Sequence, residues 1–314
     1  MQEGKNMEKT EKIWVDGKLV DWKDAKVHVL THALNYGTGV FEGIRMYETP
    51  KGPAIFRLRE HMKRLLDGCK VMGIEPVFGG KAYSLDELIG AVKATIKANG
   101  KVDYIKPCVF LSGEEVGLNP VGVPASMSIT CICMGAYLGS GSADGIKAIT
   151  STWHRPDNLC TPAGAKVNGT YVASCLSRME AARQGAKEAI MLNSVGQVAE
   201  CTGENIFACR NGKIFTPATA DCILEGITRD SVMQIARDMG YEVVESQMSR
   251  TQLVTADEVW MTGTAAEIMP VTNIDGRTIG DGSVGEITRK VQSKFHEAVS
   301  GKDPRYDRWL EYLG

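Results

Sequence analysis

The chain predicts a mixed α/β protein of two domains, on three observations. Short apolar runs of strand character alternate with stretches of helical spacing along the whole chain. A length of 314 residues has room for about two domains. A Gly- and Ser-rich segment, Gly135 to Asp144, separates the two halves. The expected division is a flexible tail over 1–11, a smaller α/β domain over 12–134, a linker over 135–144 and a larger domain over 145–314. An active site is expected in the cleft between the domains.

The elements follow in order. Ile13-Trp14-Val15-Asp16-Gly17-Lys18-Leu19-Val20 is a pair of short apolar runs around Asp-Gly, a hairpin signal. Arg57 to Met72 has helical spacing, with Leu58, Met62, Leu65, Leu66 and Cys69 on one side. Ser84 to Asn99 reads as a helix: Ser84 caps, Glu87 completes a capping box, and Gly100 suits a left-handed stop. Tyr104–Leu111 and Ser126–Met134 read as strands. Cys131 and Cys133 alternate in the second of these, so both thiols are expected on one face, in the core. The second half opens with a strand, Ile146–Thr152. A helix over Thr170–Gln184 follows, stopped by Gly185. Glu188–Asn193, Asn205–Cys209 and Lys213–Thr216 read as strands, the last two joined at Asn211-Gly212. Helices fit Ile227–Met239 and Gly285–Val299, with a strand at Glu258–Met261 between them.

Composition narrows the function. Hydrophobic content of 43% and charged content of 24% are those of an ordinary globular enzyme. A net charge of −2 gives nothing to draw nucleic acid or an anionic membrane. Nine cysteines, mostly in apolar context, read as reduced thiols in the cytoplasm rather than a disulfide framework. The stretch Met1 to Lys12 is too polar for a signal peptide. No apolar run reaches the ~20 residues of a membrane span. No Cys/His spacing suits zinc, and no Walker or dinucleotide glycine motif occurs, so no metal is expected.

The chemistry concentrates in a few places. Lys166 stands among small, mostly uncharged residues, Ala163-Gly164-Ala165 before it and Val167-Asn168-Gly169 after. An amine that attacks an aldehyde must be partly deprotonated, which burial or a nearby cation favours. Glu200 ends the strand-like Gln197-Val198-Ala199, where a carboxylate can keep a pyridine nitrogen protonated. Gly226-Ile227-Thr228 opens a helix, whose free N–H groups and dipole attract an anion. Gly263-Thr264-Ala265-Ala266 repeats the idea after a strand, with small residues that let a backbone approach an anion. Arg64 can fork onto a phosphate. Taken singly, each has a plainer reading: a loop lysine, a strand-end glutamate, a capped helix, a strand-to-helix turn, a helix-surface arginine. His61, on the same helix as Arg64, reads as a structural histidine.

Together these residues resemble the class IV aminotransferases, pyridoxal-phosphate enzymes of fold type IV, and among them the bacterial branched-chain amino acid aminotransferases. The stretch from Glu200 through Asn205-Ile206-Phe207 and Thr216 to Leu224 and Arg229 carries the class signature. Val27 to Thr38 and Val40-Phe41-Glu42-Gly43-Ile44-Arg45 look like the N-terminal domain of that family. The resemblance runs from Ile13 to the last helix. It implies that Lys166 holds pyridoxal 5'-phosphate covalently and then moves the substrate α-proton. It also implies Tyr171 on the phenolic oxygen and Glu200 on the pyridine nitrogen. Arg64, Ile227, Thr228 and Thr264 would hold the phosphate, and Leu224 would pack on the ring. Thr264 and Ala265, with the Tyr104 hydroxyl, would take the substrate α-carboxylate. Tyr36, Phe41, Met134 and Tyr137 would line the side-chain pocket, with Gly43 leaving space. Tyr36 and the Leu118 loop would reach the partner subunit, implying a homodimer at least, or a hexamer built as a trimer of dimers.

The pocket so implied is apolar and accepts leucine, isoleucine and valine without ranking them, because one methylene changes binding by about 1–3 kcal/mol. Glutamate and 2-oxoglutarate must enter the same space. Where the family pattern after the tyrosine is Tyr-x-Arg, this chain has Tyr104-Ile105-Lys106. Lysine keeps the charge and loses the two-pronged fork, so glutamate use is expected to be weaker or differently balanced. Met134 stands where some relatives carry tryptophan, which makes that wall more pliable. The same fold also serves D-amino acid aminotransferases, R-selective amine transaminases and aminodeoxychorismate lyase. A homologue without catalysis is the reading from another class.

Overall fold

The computed structural model describes residues 8–135 and 144–313. Tyr137 and most of the expected linker lie outside the described residues. The expected tail is too long by at least one element. Glu8–Lys9 forms strand β1 and pairs with residues 132–133.

The chain divides into two compact units. The first comprises residues 1–135, Ala165–Gly169 and Ala298–Gly314. Its elements are β1, β2 (Lys12–Val15), β3 (Lys18–Asp21), α1 (His32–Tyr36), β4 (Gly39–Phe41), β5 (Ile44–Tyr47) and β6 (Ala54–Phe56). There follow α2 (Leu58–Val71), the small hairpin β7 (Val77–Phe78) and β8 (Lys81–Ala82), α3 (Leu85–Asn99), β9 (Tyr104–Leu111) and β10 (Ala125–Cys133). The β2–β3 hairpin turns at Asp16 and Gly17, both at positive φ, as Asp-Gly predicts. The α3 capping box is complete, Ser84 accepting from the Glu87 N–H and Glu87 from the Ser84 N–H.

Strand β9 organises this unit. It pairs with β10 on one side and with β4 and β5 on the other. Its alternation buries Ile105, Val109 and Leu111 and turns Tyr104 and Lys106 to the opposite face. The buried face meets Leu58, Met62 and Leu65 of α2 and Leu88, Val92 and Ile96 of α3 in one core. Cys131 is in that core, but Cys133 is only half-buried, near the end of the strand, its thiol donating to the Lys101 carbonyl. The expectation of two core thiols therefore holds for one.

The second unit comprises residues 136–164 and Thr170–Glu297. It holds β11 (Ile146–Thr150), α4 (Tyr171–Arg183), β12 (Glu188–Leu192), β13 (Val198–Cys201), β14 (Asn205–Arg210) and β15 (Lys213–Thr216). After these come α5 (Ile227–Asp238), β16 (Val243–Glu245), α6 (Arg250–Val254), β17 (Glu258–Gly263), β18 (Glu267–Ile274), β19 (Arg277–Thr278) and most of α7 (Glu286–Val299). The sheet order is β13-β12-β11-β18-β17-β14-β15-β16. It is mixed: β11 runs parallel to β12 and β18, β15 runs parallel to β16, and its other pairs are antiparallel. The β14–β15 turn has Asn211 and Gly212 at positive φ, as expected. Residues 263–266 make a hairpin turn into β18 rather than a strand-to-helix turn. Strand β18 is hidden in the sequence because Pro270 lies inside it.

The expectation that residues 145–314 form one domain is corrected twice. The Lys166 segment belongs to the first unit, because Val167 bridges Val40 and the Phe41 N–H donates to the Lys166 carbonyl at 3.1 Å. The end of the chain belongs there too, because Leu310–Tyr312 forms β20 against β6. Among the described residues no helix is long and apolar enough to cross a membrane.

Candidate active site

In the first unit the Lys166 segment lies along β4. Two glycines allow this. Gly37 ends α1 at φ +69, and a β-carbon there would meet the Gly169 backbone at 2.7 Å. The Gly169 N–H donates to the Gly37 carbonyl at 3.1 Å. The Lys166 Nζ stands 4.9 Å from the centre of the Phe41 ring, and the Lys106 Nζ stands 5.2 Å from the same ring. Two lysine side chains thus share one aromatic ring. Gly43 and Tyr104 also meet: a β-carbon on residue 43 would overlap the Tyr104 hydroxyl. Phe41, Gly43, Tyr104, Lys106 and Lys166 are therefore positioned by β4, β5 and β9.

Arg64 projects from α2 toward the same region. Its Nε and Nη2 donate to the two carboxylate oxygens of Glu42 at 2.6 and 2.9 Å, and the His61 Nδ1 meets Glu42 Oε2 at 2.7 Å. Burial alone would raise Glu42, but the charge of Arg64 and the bond to His61 hold it well below the usual carboxylate range. Burial in turn lowers His61, and because an ionised carboxylate can only accept, the His61 Nδ1 carries the proton and donates to Glu42. Glu42 went unassigned in the sequence, where only its place between Phe41 and Gly43 marked it.

Met134 and its neighbour are pinned at the end of β10. The carboxylate of Asp103 accepts from the Met134 and Gly135 N–H groups at 2.6 and 2.9 Å. Tyr36 closes α1 just before Gly37, and Leu118 lies in the segment between β9 and β10. His32 links their segments, its ring tilted against that of Tyr36 at 4.7 Å between centroids and its Nε2 bonded to the Gly117 carbonyl at 3.0 Å. Leu118 itself is 82% exposed.

In the second unit Glu200 is buried and fully engaged. Its Oε1 meets the Arg155 Nε at 2.7 Å, and its Oε2 accepts from the Asn205 side chain and the Leu224 N–H at 3.0 Å each. Asn205 also donates to the Leu224 carbonyl at 2.9 Å. One β13 carboxylate, one β14 amide and the Leu224 backbone are thereby locked together. Arg155 is buried too, and reaches the carbonyls of Ala163 and Cys222. The sequence reading missed it; its only flag is an arginine set directly before proline, just past β11.

Three residues beyond Leu224, α5 begins at Ile227. Its N-cap, Gly226, offers no side chain to cap the first turn. Thr228 is buried there. Arg229, in contrast, turns inward to Pro217 and Glu245 and braces the helix. Thr264 and Ala265 occupy the β17–β18 turn, which the pairing of Asn205 with Thr262 sets next to the start of β14. Beneath that turn lies Glu204, with its Cγ 3.0 Å from where a β-carbon on Gly263 would be. Burial and the neighbouring Glu188 charge push the Glu204 carboxyl up to about 8. Tyr171 is the first residue of α4.

A carboxylate held from behind by an arginine and two amides suits a protonated heterocyclic nitrogen, and a helix start without a capping side chain suits a phosphate. Residues 39–274 match the model of the amino-transferase class IV family. The chain belongs to that family. Within it, the chain is 43% identical to the branched-chain-amino-acid aminotransferase of Salmonella typhimurium, over 96% of this chain and 97% of that one. The crystal structure of the Escherichia coli branched-chain amino acid aminotransferase superposes with a TM-score of 0.93 at 41% identity, over 98% of this chain and 100% of that one. The branched-chain aminotransferase of the thermophilic archaeon Thermoproteus uzoniensis, solved with norvaline, gives 0.91 at 42% identity, over 97% and 100%.

Proposed function

We propose that the chain is a branched-chain-amino-acid transaminase, exchanging the amino group of leucine, isoleucine or valine with 2-oxoglutarate through pyridoxal 5'-phosphate. The single observation that carries the cofactor is the buried Glu200, held by Arg155, Asn205 and the Leu224 amide two residues before a glycine N-cap. An accepting carboxylate close in sequence to a helix start without a capping side chain fits a cationic ring joined to a phosphate. When bound, the cofactor supplies the electron sink that makes a substrate α-proton acidic.

The residues divide the work. Lys166 is the attachment amine and moves the α-proton. Glu200 keeps the ring nitrogen protonated, and Arg155 keeps that carboxylate in place. Tyr171 donates to the ring oxygen, and Leu224 packs on the ring. Arg64, the amides of Ile227 and Thr228, and Thr264 take the phosphate. Thr264 and Ala265, with Tyr104, take the substrate carboxylate. Phe41, Met134 and Tyr36 contribute apolar wall, and Lys106 meets the distal carboxylate of glutamate. Gly43 stays small because the Tyr104 hydroxyl occupies its side-chain space.

A homodimer or a larger assembly is supported by a run of exposed apolar residues in the first unit, Val29 at 72%, Val116 at 81% and Val121 at 84% among them. Leu118 and Tyr36 belong to the same run. A cytoplasmic setting is supported by nine cysteines that are all free thiols.

Borohydride reduction followed by peptide mapping tests the assignment. The reduced phosphopyridoxyl group is expected on Lys166; its appearance on another lysine, or on none, overturns it. Initial rates with L-leucine against D-alanine, each with 2-oxoglutarate, test the substrate class, L-leucine being the faster.

A further inference from the structure

Glu42 has no solvent exposure and has no part in the roles above. The backbone around it is fixed by two bonds: the Phe41 N–H donates to the Lys166 carbonyl, and the Glu42 N–H donates to the Pro107 carbonyl at 2.9 Å. Its carboxylate grips the Arg64 guanidinium side-on, through Nε and Nη2, and takes the His61 Nδ1–H as well. His61 and Arg64 are three residues apart on α2, so both face the same carboxylate. Gly68, a turn further on, lets α2 lie close to Val40 of β4, where a β-carbon would meet Val40 at 3.2 Å. Phe41, next to Glu42 in the chain, bonds the Lys166 carbonyl through its N–H and has the Lys166 Nζ 4.9 Å from its ring centre, which sets this network near the attachment amine. A side-on carboxylate fixes the plane of a guanidinium and removes its rotamer freedom.

We propose that Glu42 is a positioning residue for phosphate binding: with His61 as its second anchor, it holds Arg64 in the one orientation that meets the cofactor phosphate. This rests on the assignment of Arg64 to the phosphate. Glu42 then contributes affinity through the phosphate alone and not through the ring.

Titration of the full-length protein, stripped of cofactor, with pyridoxal 5'-phosphate and separately with pyridoxal gives the advantage that the phosphate confers. In Glu42→Gln that advantage is expected to fall about tenfold or more, the worth of one charge-assisted hydrogen bond. Arg64→Lys is expected to do the same, and the double variant to fall no further. An advantage that is unchanged or larger in Glu42→Gln overturns the proposal. Glu42→Asp, which keeps the charge and shortens the arm, is read by the same criterion if the glutamine variant does not fold. Borohydride trapping on Lys166 in each variant separates the two failures. Loss of trapping in the wild type sinks the cofactor assignment; normal trapping with no phosphate advantage in the wild type sinks the role of Arg64, and this proposal with it.

Discussion

The side chain of Asn205 fills the space that a β-carbon on Gly226 would need. Gly226 has an ordinary φ of −67, so its smallness serves packing and not backbone freedom. Gly226→Ala must displace Asn205, and with it the bonds to Glu200 and Leu224. The expected loss is about 1–3 kcal/mol of stability, as for other overpacked sites. Asn205→Ala in the same chain removes the clash, so the double variant is expected to lose less than the two single losses summed. Urea unfolding of the single variants and the double variant checks this; strict additivity rejects it.

Arg155 and Glu200 form a buried ion pair, and removing one partner strands the other charge. Arg155→Met is expected to cost about 3–5 kcal/mol and to loosen the cofactor. Thermal unfolding together with retention of the cofactor absorbance on dialysis measures both. A variant as stable as wild type that keeps its colour argues that Arg155 is ornamental.

Lys106 and Lys166 both stand over the Phe41 ring, and in the proposed site the charge that meets a distal carboxylate is the single-pronged ammonium of Lys106. Lys106→Arg restores a fork for a carboxylate. The glutamate KM is expected to fall severalfold while the leucine KM stays within about twofold, because leucine brings no distal charge. Equal glutamate KM values in the two proteins remove Lys106 from this role.

Glu204 makes stability depend on pH. Its folded carboxyl titrates near 8 and its ordinary value is 4.5. Between those values the folded chain keeps a proton that the unfolded chain has released. Stability from this group is therefore full below about pH 4.5 and is lost as pH rises through 8, by about 1.4 kcal/mol per pH unit for one proton. Glu204→Gln is expected to flatten the wild-type decline between pH 6 and 8 and to be the more stable protein at pH 9. Melting temperatures across that range decide it; parallel curves for the two proteins count against Glu204.

Gly43→Ala collides with the Tyr104 ring. The ring must swing out of place, so the KM for leucine is expected to rise by about tenfold with less change in kcat, since the interaction is one of substrate binding. Steady-state kinetics with both substrates reads this directly, and an unaltered KM excludes it.

Much of the fold is legible in the sequence. Asp16-Gly17 and Asn211-Gly212 marked their turns because positive φ restricts residue choice. Ser84 and Glu87 marked the start of α3 through a reciprocal cap. Strands β4, β6 and β20 were not legible, because each is three residues long and takes at least one partner from distant sequence. Strand β18 was masked by Pro270. Among the candidate site residues, Lys166, Glu200 and Arg64 stood out in the sequence by type and setting, and their roles followed only from the family resemblance. Glu42 and Arg155 did not stand out, since each acts by pairing with a charge 22 or 45 residues away.

The sequence by itself determined the family through the resemblance of its motifs, and the order of most elements because local periodicity and capping are written within a few residues. Tertiary structure alone decided that Lys166 travels with the N-terminal unit, that Arg64 is gripped by Glu42 and that Arg155 stands behind Glu200. These depend on which buried charges end up face to face, and a charge removed from water takes whatever partner the fold brings within hydrogen-bond reach.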